Sequence, residues 1–281
     1  MAPSSRDSAV YVSVDMEGCA DIVHWDEVQP SASREYERSR VVTTGEVEAV
    51  VAGAYDGGAT SVTVNDSHSK MRNLLVDRID KRATIVSGRL KPLFMLQGIG
   101  PEHTAAFFVG YHGAIGDAQA VLGHTYSPKV IFECRLGGAP VGELTINAAL
   151  AGAFGVPVTL VSGDRTTLAE AQAVLPWAQL VETKQSISYH AAQCRSPQSV
   201  ASELRQAAAR ACEVEGAKPF ELPKPVTMEI DTYTSAQADH LELIPSIGRL
   251  GPRTIACTAG DFQSIYRALQ AVIYLGAAAT A

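Results

Sequence analysis

No run of apolar residues in the chain approaches the roughly 18 that a membrane-spanning helix requires. The longest candidates, such as VIFECRLGGAPVG, are interrupted by charge or glycine. Membrane is therefore not among the expected partners. The opening MAPSSRDSAVYVSVDMEG lacks a basic region followed by an apolar stretch and a small-residue cleavage site, so no export is expected. Cysteine is sparse. The five residues Cys19, Cys134, Cys194, Cys212 and Cys257 are odd in number, widely spaced and free of any CxxC pair. That pattern argues against a disulfide framework and against a thiolate zinc site, and it places the chain in a reducing cytoplasm. Basic clusters are also missing. With a formal charge of −7 and no Lys/Arg patch, nucleic acid is not an expected partner, and a small substrate is.

What is present is the composition of a folding domain: 281 residues, 46% hydrophobic and 19% charged, with no internal repeat and no low-complexity segment. The length accommodates two domains or one large α/β unit. Short runs rich in β-branched residues alternate with longer amphipathic stretches, which predicts an α/β fold, a mostly parallel sheet flanked by helices. Strands are expected at 9–15, 60–66, 83–88, 105–112, 129–136, 157–164 and in VTMEIDTY from 226. Helices are expected at 33–56, 142–154, 165–174, 198–213 and about 261–277. Residues 1–281 read as a single catalytic unit with room for a second, smaller α/β subdomain, residues 1–8 as a disordered tail, and KPFELPKP (218–225) as a surface loop or linker.

Chemistry-bearing residues gather at the predicted strand ends. Asp15 and Glu17 close the first strand in SVDMEG, His68 follows the second in VNDSHSK, His112 ends FFVGYH, and Glu143 opens the helix-like GELTINAALAG. In an open parallel sheet, ligands bind beyond the carboxyl ends of the strands, where such distant positions converge. Imidazoles and carboxylates without thiolates suit a catalytic zinc or another first-row metal. One carboxylate shared between two metals would polarise a carbonyl and activate water at once. Each residue also has an ordinary role: a turn carboxylate, a turn or core histidine, a helix-start glutamate facing the macrodipole. Only their convergence distinguishes a site.

The segments SVDMEG, NDSHSKMRNLL, SGRLKP, GYH and PVGELTINA, in this order and at these intervals, resemble the DppA-type D-aminopeptidase family of dinuclear zinc metallopeptidases. The likeness runs from about residue 10 to about residue 190, with EYERSR, VSGDR and KQSIS, and more faintly beyond. The resemblance implies two zinc ions per subunit. Asp15 would bridge them, Glu17 and His68 would complete one, and His112 and Glu143 the other. It implies a catalytic histidine at His124 in VLGHTYS, short peptide substrates with an N-terminal D-residue such as D-Ala, and a homo-oligomer, a decamer enclosing its active sites. Family accounts give that histidine a nucleophilic role, whereas the chemistry of the residues favours an acid/base or electrophilic one.

Asn65, Asp66 and Ser67 are candidates to orient His68, Asn147 to support Glu143, and Lys70 to meet a substrate carboxylate. His24, His103, His190 and His240 have no motif partner and are set aside. Two other functions compete. A haloacid-dehalogenase-type magnesium phosphatase would use Asp15 as nucleophile but leaves His68, His112 and Glu143 without a role. A non-catalytic metal-binding scaffold would need no His124.

Overall fold

The computed structural model describes residues 8–30 and 33–279. Of the tail expected at 1–8, residues 1–7 lie outside the described residues, and Ser8 leads directly into the first strand.

The first half of the chain runs β1 (Ala9–Val14), α1 (Trp25–Val28), α2 (Arg34–Asp56), β2 (Ser61–Asp66), β3 (Thr84–Val86), β4 (Ala105–Tyr111), β5 (Ile131–Leu136), β6 (Ala139–Pro140) and α3 (Glu143–Ala153). The second half continues with β7 (Val158–Asp164), α4 (Arg165–Val174), β8 (Gln179–Ser188), β9 (Ala191–Cys194), α5 (Pro197–Ala211), β10 (Val226–Thr232), α6 (Ser235–Leu241), β11 (Gly248–Arg249), β12 (Thr254–Ala259) and α7 (Phe262–Ala278). The helices begin where capping chemistry allows. Ser33 accepts from the Tyr36 amide to start α2, Ser196 precedes Pro197 at the start of α5, and Asp261 accepts from the Ser264 amide to start α7.

Seven strands form one sheet in the order β3-β2-β1-β4-β7-β8-β9, parallel except for the final pair. The parallel strands therefore lie third, second, first, fourth, fifth, sixth, and the order reverses between β1 and β4. That reversal is the topological switch point at which open α/β sheets bind ligands. β1, β4 and β7 are buried at every position, as expected of central parallel strands covered on both faces. Val10, Val12 and Val14 of β1 pack toward α2 and α5, whereas the alternate Tyr11 packs on the other side with Phe108 and α3.

The strand expected at 129–136 departs from the predicted parallel alternation. Ile131–Leu136 belongs to a second, antiparallel sheet of order β11-β12-β10-β5-β6. Its companion β10 shows the reason, because Val226, Met228, Ile230 and Thr232 are buried while Thr227, Glu229 and Asp231 are half-buried. That alternation suits a sheet with one face on the core and one toward water. On the outer face Arg135 pairs with Glu133, Glu229 and Asp231. The inner face packs on α7, and α3, with ten of its eleven residues buried, lies in the core that the two sheets share. The 218–225 segment has no regular structure but is packed, since Phe220 and Leu222 join that core. Among the described residues no helix is long and apolar enough to cross a membrane.

Candidate metal centre

The connection after β1 turns inside the molecule rather than over it. Asp15 stands one residue beyond β1, and its amide donates to Val109 of β4 at 2.8 Å. The chain then presses against the end of β4 so closely that a Cβ on Gly18 would sit 1.7 Å from the Tyr111 carbonyl oxygen. On the facing strand Gly110 has φ +70°, and a Cβ there would strike the Asp15 carbonyl oxygen at 2.4 Å. Two glycines thus allow Asp15 and Glu17 to meet His112 at the switch point.

A buried lysine holds this turn from below. Lys184 Nζ donates to the carbonyls of Glu17, Cys19 and Ile22, and the neighbouring Thr183 hydroxyl donates to Gly18 O at 2.6 Å. Lys184 is fully buried, and burial lowers its pKa below the ordinary lysine range. From the opposite side Glu46 of α2 accepts from the Ala20 amide at 2.7 Å. Burial pushes that carboxyl up to about 7.

The six residues expected from the sequence converge, each 1–8% exposed. His68 Nδ1 lies 3.1 Å from Asp15 Oδ1 and 2.9 Å from Glu17 Oε2. His112 Nε2 lies 3.5 Å from Asp15 Oδ2 and 3.4 Å from Glu143 Oε1. His124 Nε2 lies 3.7 Å from Glu143 Oε1, and its ring stacks on His112 with centroids 4.2 Å apart. Asp15 therefore touches both groups, one through each oxygen.

Each imidazole is anchored through its other nitrogen. His68 Nε2 faces Val28 O at 2.7 Å, His112 Nδ1 faces Gly113 O at 2.9 Å, and His124 Nδ1 faces Leu122 O at 2.9 Å. A backbone carbonyl accepts only from an N–H, so the anchored nitrogen carries the proton and the neutral ring turns a lone pair toward the carboxylates. Lone pairs facing carboxylates are a poor arrangement unless a cation lies between them. The buried Glu17 Oε2 and His112 Nε2 have no hydrogen-bond partner, which is the signature of donors arranged for such a cation. Donors around a tetrahedral zinc stand roughly 3.3–3.6 Å apart, given ligand distances of about 2.0–2.2 Å, and the separations here bracket that spacing. The Asp15, Glu17 and His112 donor atoms lie within 4.8 Å of one another, as do those of His112, His124 and Glu143.

Without a cation the cluster balances its charge with protons. Burial and the neighbouring Glu17 push the Asp15 carboxyl up to about 7. Burial alone lowers His112, but Glu143 and Asp15 reverse this and take it up to about 10. His68 is likewise raised, its carboxylate neighbours Glu17 and Asp15 outweighing burial. His124 goes the other way, lowered by burial and by its neighbour His112. A divalent ion bound here would take the place of the protons on these imidazoles.

The supporting residues differ in part from expectation. His68 is oriented by the Val28 carbonyl at the end of α1, not by Asn65, Asp66 or Ser67. Those three build the floor instead: Asn65 and Ser67 donate to Met95 O, and Asp66 accepts from the Asn73 and Leu74 amides. Asn147 reaches Glu143 only through Tyr126, whose amide donates to Glu143 Oε1 at 2.6 Å and whose hydroxyl donates to Asn147 Oδ1 at 2.8 Å. Lys70 is exposed and does not line the cavity over the donors; Arg89 and Lys129 do. The sequence reading missed Trp25, which sets its ring edge against His124 at 5.2 Å, and it missed Lys184. Only the recurrence of KQSIS and SGRLKP in the family pattern signalled Lys184 and Arg89. His24, His103, His190 and His240 all lie outside the cluster. His24 caps α1, His103 packs on Tyr11, His190 packs on Tyr189, and His240 bonds within α6.

Buried imidazoles and carboxylates gathered at the switch point of a parallel sheet are a donor set of the kind that metal-dependent hydrolases use. The sequence profile of peptidase M55, D-aminopeptidase, matches residues 9–271. A D-aminopeptidase of Bacillus subtilis (strain 168) is 35% identical over 265 residues, covering 92% of this chain and 94% of the relative. A solved structure, described as the Zn-dependent D-aminopeptidase DppA from Bacillus subtilis, a self-compartmentalizing protease, superposes with a TM-score of 0.89 at 33% identity. It covers 96% of this chain and 98% of its own. The chain belongs to the D-aminopeptidase family and is a hydrolase acting on peptide bonds. His68, His112 and Glu143, which the phosphatase alternative left idle, stand against Asp15 or against one another in a single cluster.

Proposed function

We propose that this protein is a zinc-dependent aminopeptidase that removes the N-terminal residue, preferably a D-residue such as D-Ala, from short peptides or amino-acid amides. The observation that carries the reading is the set of three buried imidazoles, each anchored on a backbone carbonyl and each turned toward carboxylates. Two zinc ions fit the donors. Asp15, with one oxygen toward each group, would serve both, Glu17 and His68 would complete the first, and His112 and Glu143 the second. When bound, such ions supply Lewis acidity toward a carbonyl oxygen and toward water.

The chain's own groups do the rest. His124 is the proton-handling residue: it is held by Leu122 O and set against Trp25, and its burial favours the neutral ring. Its free Nε2 accepts a proton as water attacks the scissile carbonyl. The imidazolium then returns that proton to the amide nitrogen as the C–N bond breaks. A free amino terminus brings an ammonium with which one of the buried carboxylates could pair. An N-acetylated peptide has lost that charge, so zinc-loaded protein is expected to cleave D-alanyl peptides with a free amino terminus and to refuse their acetylated forms. Equal rates on the two would overturn the aminopeptidase reading.

Residues 1–281 act as one catalytic unit in this reading, because the core under the donors is continuous with the second sheet. The assembly is a homodecamer with its sites inside, a reading supported by the relative's description as self-compartmentalizing. Light scattering is expected to give a mass near ten times 29.7 kDa, and a species of 29.7 kDa would refute it. The cytoplasm is the proposed location, supported by five free cysteines, four of them buried.

A further inference from the structure

The cavity over the cluster has a volume of about 350 Å³, within the range of small-molecule sites, and its ionisable side chains lie at two depths. Asp15, Glu17 and Glu143, at most 3% exposed, form its floor. Arg89 and Lys129, both exposed, form part of its mouth. An adjoining cavity of about 650 Å³ shares Trp25, Gln29, His124, Pro128 and Lys129, so the cleft continues outward past His124 and Lys129.

The two cations stand out against the rest of the molecule. In a chain with 30 acidic and 23 basic residues, Arg38, Arg78, Arg165 and Arg205 each hold a carboxylate. Among the described residues neither Arg89 nor Lys129 takes part in an ion pair. Arg89 instead lies over the ring of Tyr274 from α7, its guanidinium carbon 5.2 Å from the ring centroid. A guanidinium placed on an aromatic face keeps the N–H groups of its plane free, in a fork that matches a carboxylate. Lys129 is fixed through its backbone, since its carbonyl accepts from Gln237 Nε2 at 2.8 Å, and the ammonium is left to the cleft. Nothing in the chemistry of peptide-bond cleavage requires either cation.

We infer that Arg89 and Lys129 form a subsite for the free C-terminal carboxylate of the substrate, so that the preferred substrate class is short peptides with both termini charged. The inference rests on the aminopeptidase reading and extends it. The Arg89 and Lys129 cations at the mouth match the carboxylate end of a short peptide whose amino end reaches the floor.

Three substrates test it on zinc-loaded full-length protein: D-alanyl-D-alanine, its C-terminal amide, and D-alanine p-nitroanilide. The wild-type protein is expected to favour the acid over the amide by about 10-fold or more in kcat/KM, the size of effect expected of charge-assisted hydrogen bonds. In Arg89→Ala that ratio falls toward one, carried by KM for the acid, and Arg89→Lys recovers part of it; Lys129→Ala lowers it less. A wild-type ratio near one, or a ratio unmoved by Arg89→Ala, overturns the subsite. Cleavage of the anilide in that case leaves the aminopeptidase reading standing. A wild-type protein that cleaves none of the three overturns that reading and the subsite with it.

Discussion

Asp15→Ala is expected to lower occupancy at both metal positions and to abolish turnover, whereas Glu17→Ala weakens mainly one position. Asp15 presents Oδ1 to His68 and Oδ2 to His112, so its removal takes a donor from each group. Glu17 makes its shortest contact with His68, at 2.9 Å, and spans no second group as Asp15 does. Losing a partner that merely orients a ligand typically costs 10- to 100-fold in metal affinity, and a donor shared by two ions should cost more than about 100-fold at each. Elemental analysis of purified variants, reported as metal per chain, decides the matter. An Asp15→Ala protein that retains two metals would remove the shared carboxylate, and wild-type protein that saturates at one would remove the dinuclear centre.

The second large effect concerns His124. His124→Ala is expected to keep both metals and the oligomer yet lose at least about 100-fold in kcat, with KM changed much less. The geometry makes this a sharp test, because His124 Nε2 also falls within ligand range of His112 and Glu143. If the imidazole is a ligand, the variant loses metal as well as rate. If it is the proton carrier, metal content stays and only the rate falls. An acyl group trapped on His124 would establish a nucleophile instead. Near-normal turnover with metal in place would exclude the residue from the mechanism.

How much of this was legible in the sequence follows from which forces leave local marks. β1, β4 and β7 are buried on both faces, and that burial writes itself as continuous runs such as AVYVSV. The donors were legible for the same reason. Asp15 and His112 end apolar runs and His68 follows one after Asn65, Asp66 and Ser67, at the strand ends where a sheet with this order binds ligands. The second sheet was not legible as a separate layer, because IFECRL is locally indistinguishable from a strand of the first. β8 and β9 were hidden because QLVETKQSIS is mostly polar and only some of its positions are buried. The anchors of the three imidazoles left no trace at all. Val28, Gly113 and Leu122 act through carbonyls that every residue possesses, so only the folded backbone identifies them.

Lys184 carries a consequence for the order in which the protein is built. All six residues of the cluster precede it in the chain, Glu143 being the last, so a nascent polypeptide displays every donor before the ammonium that fixes the Glu17 turn has been synthesised. Closing that connection spans 167 residues and requires β8 to dock beside β7. Contacts of such long range form late, after the loop entropy between them has been spent. The turn that carries Glu17 is therefore completed only when the sixth parallel strand has docked, however early Glu17 itself leaves the ribosome.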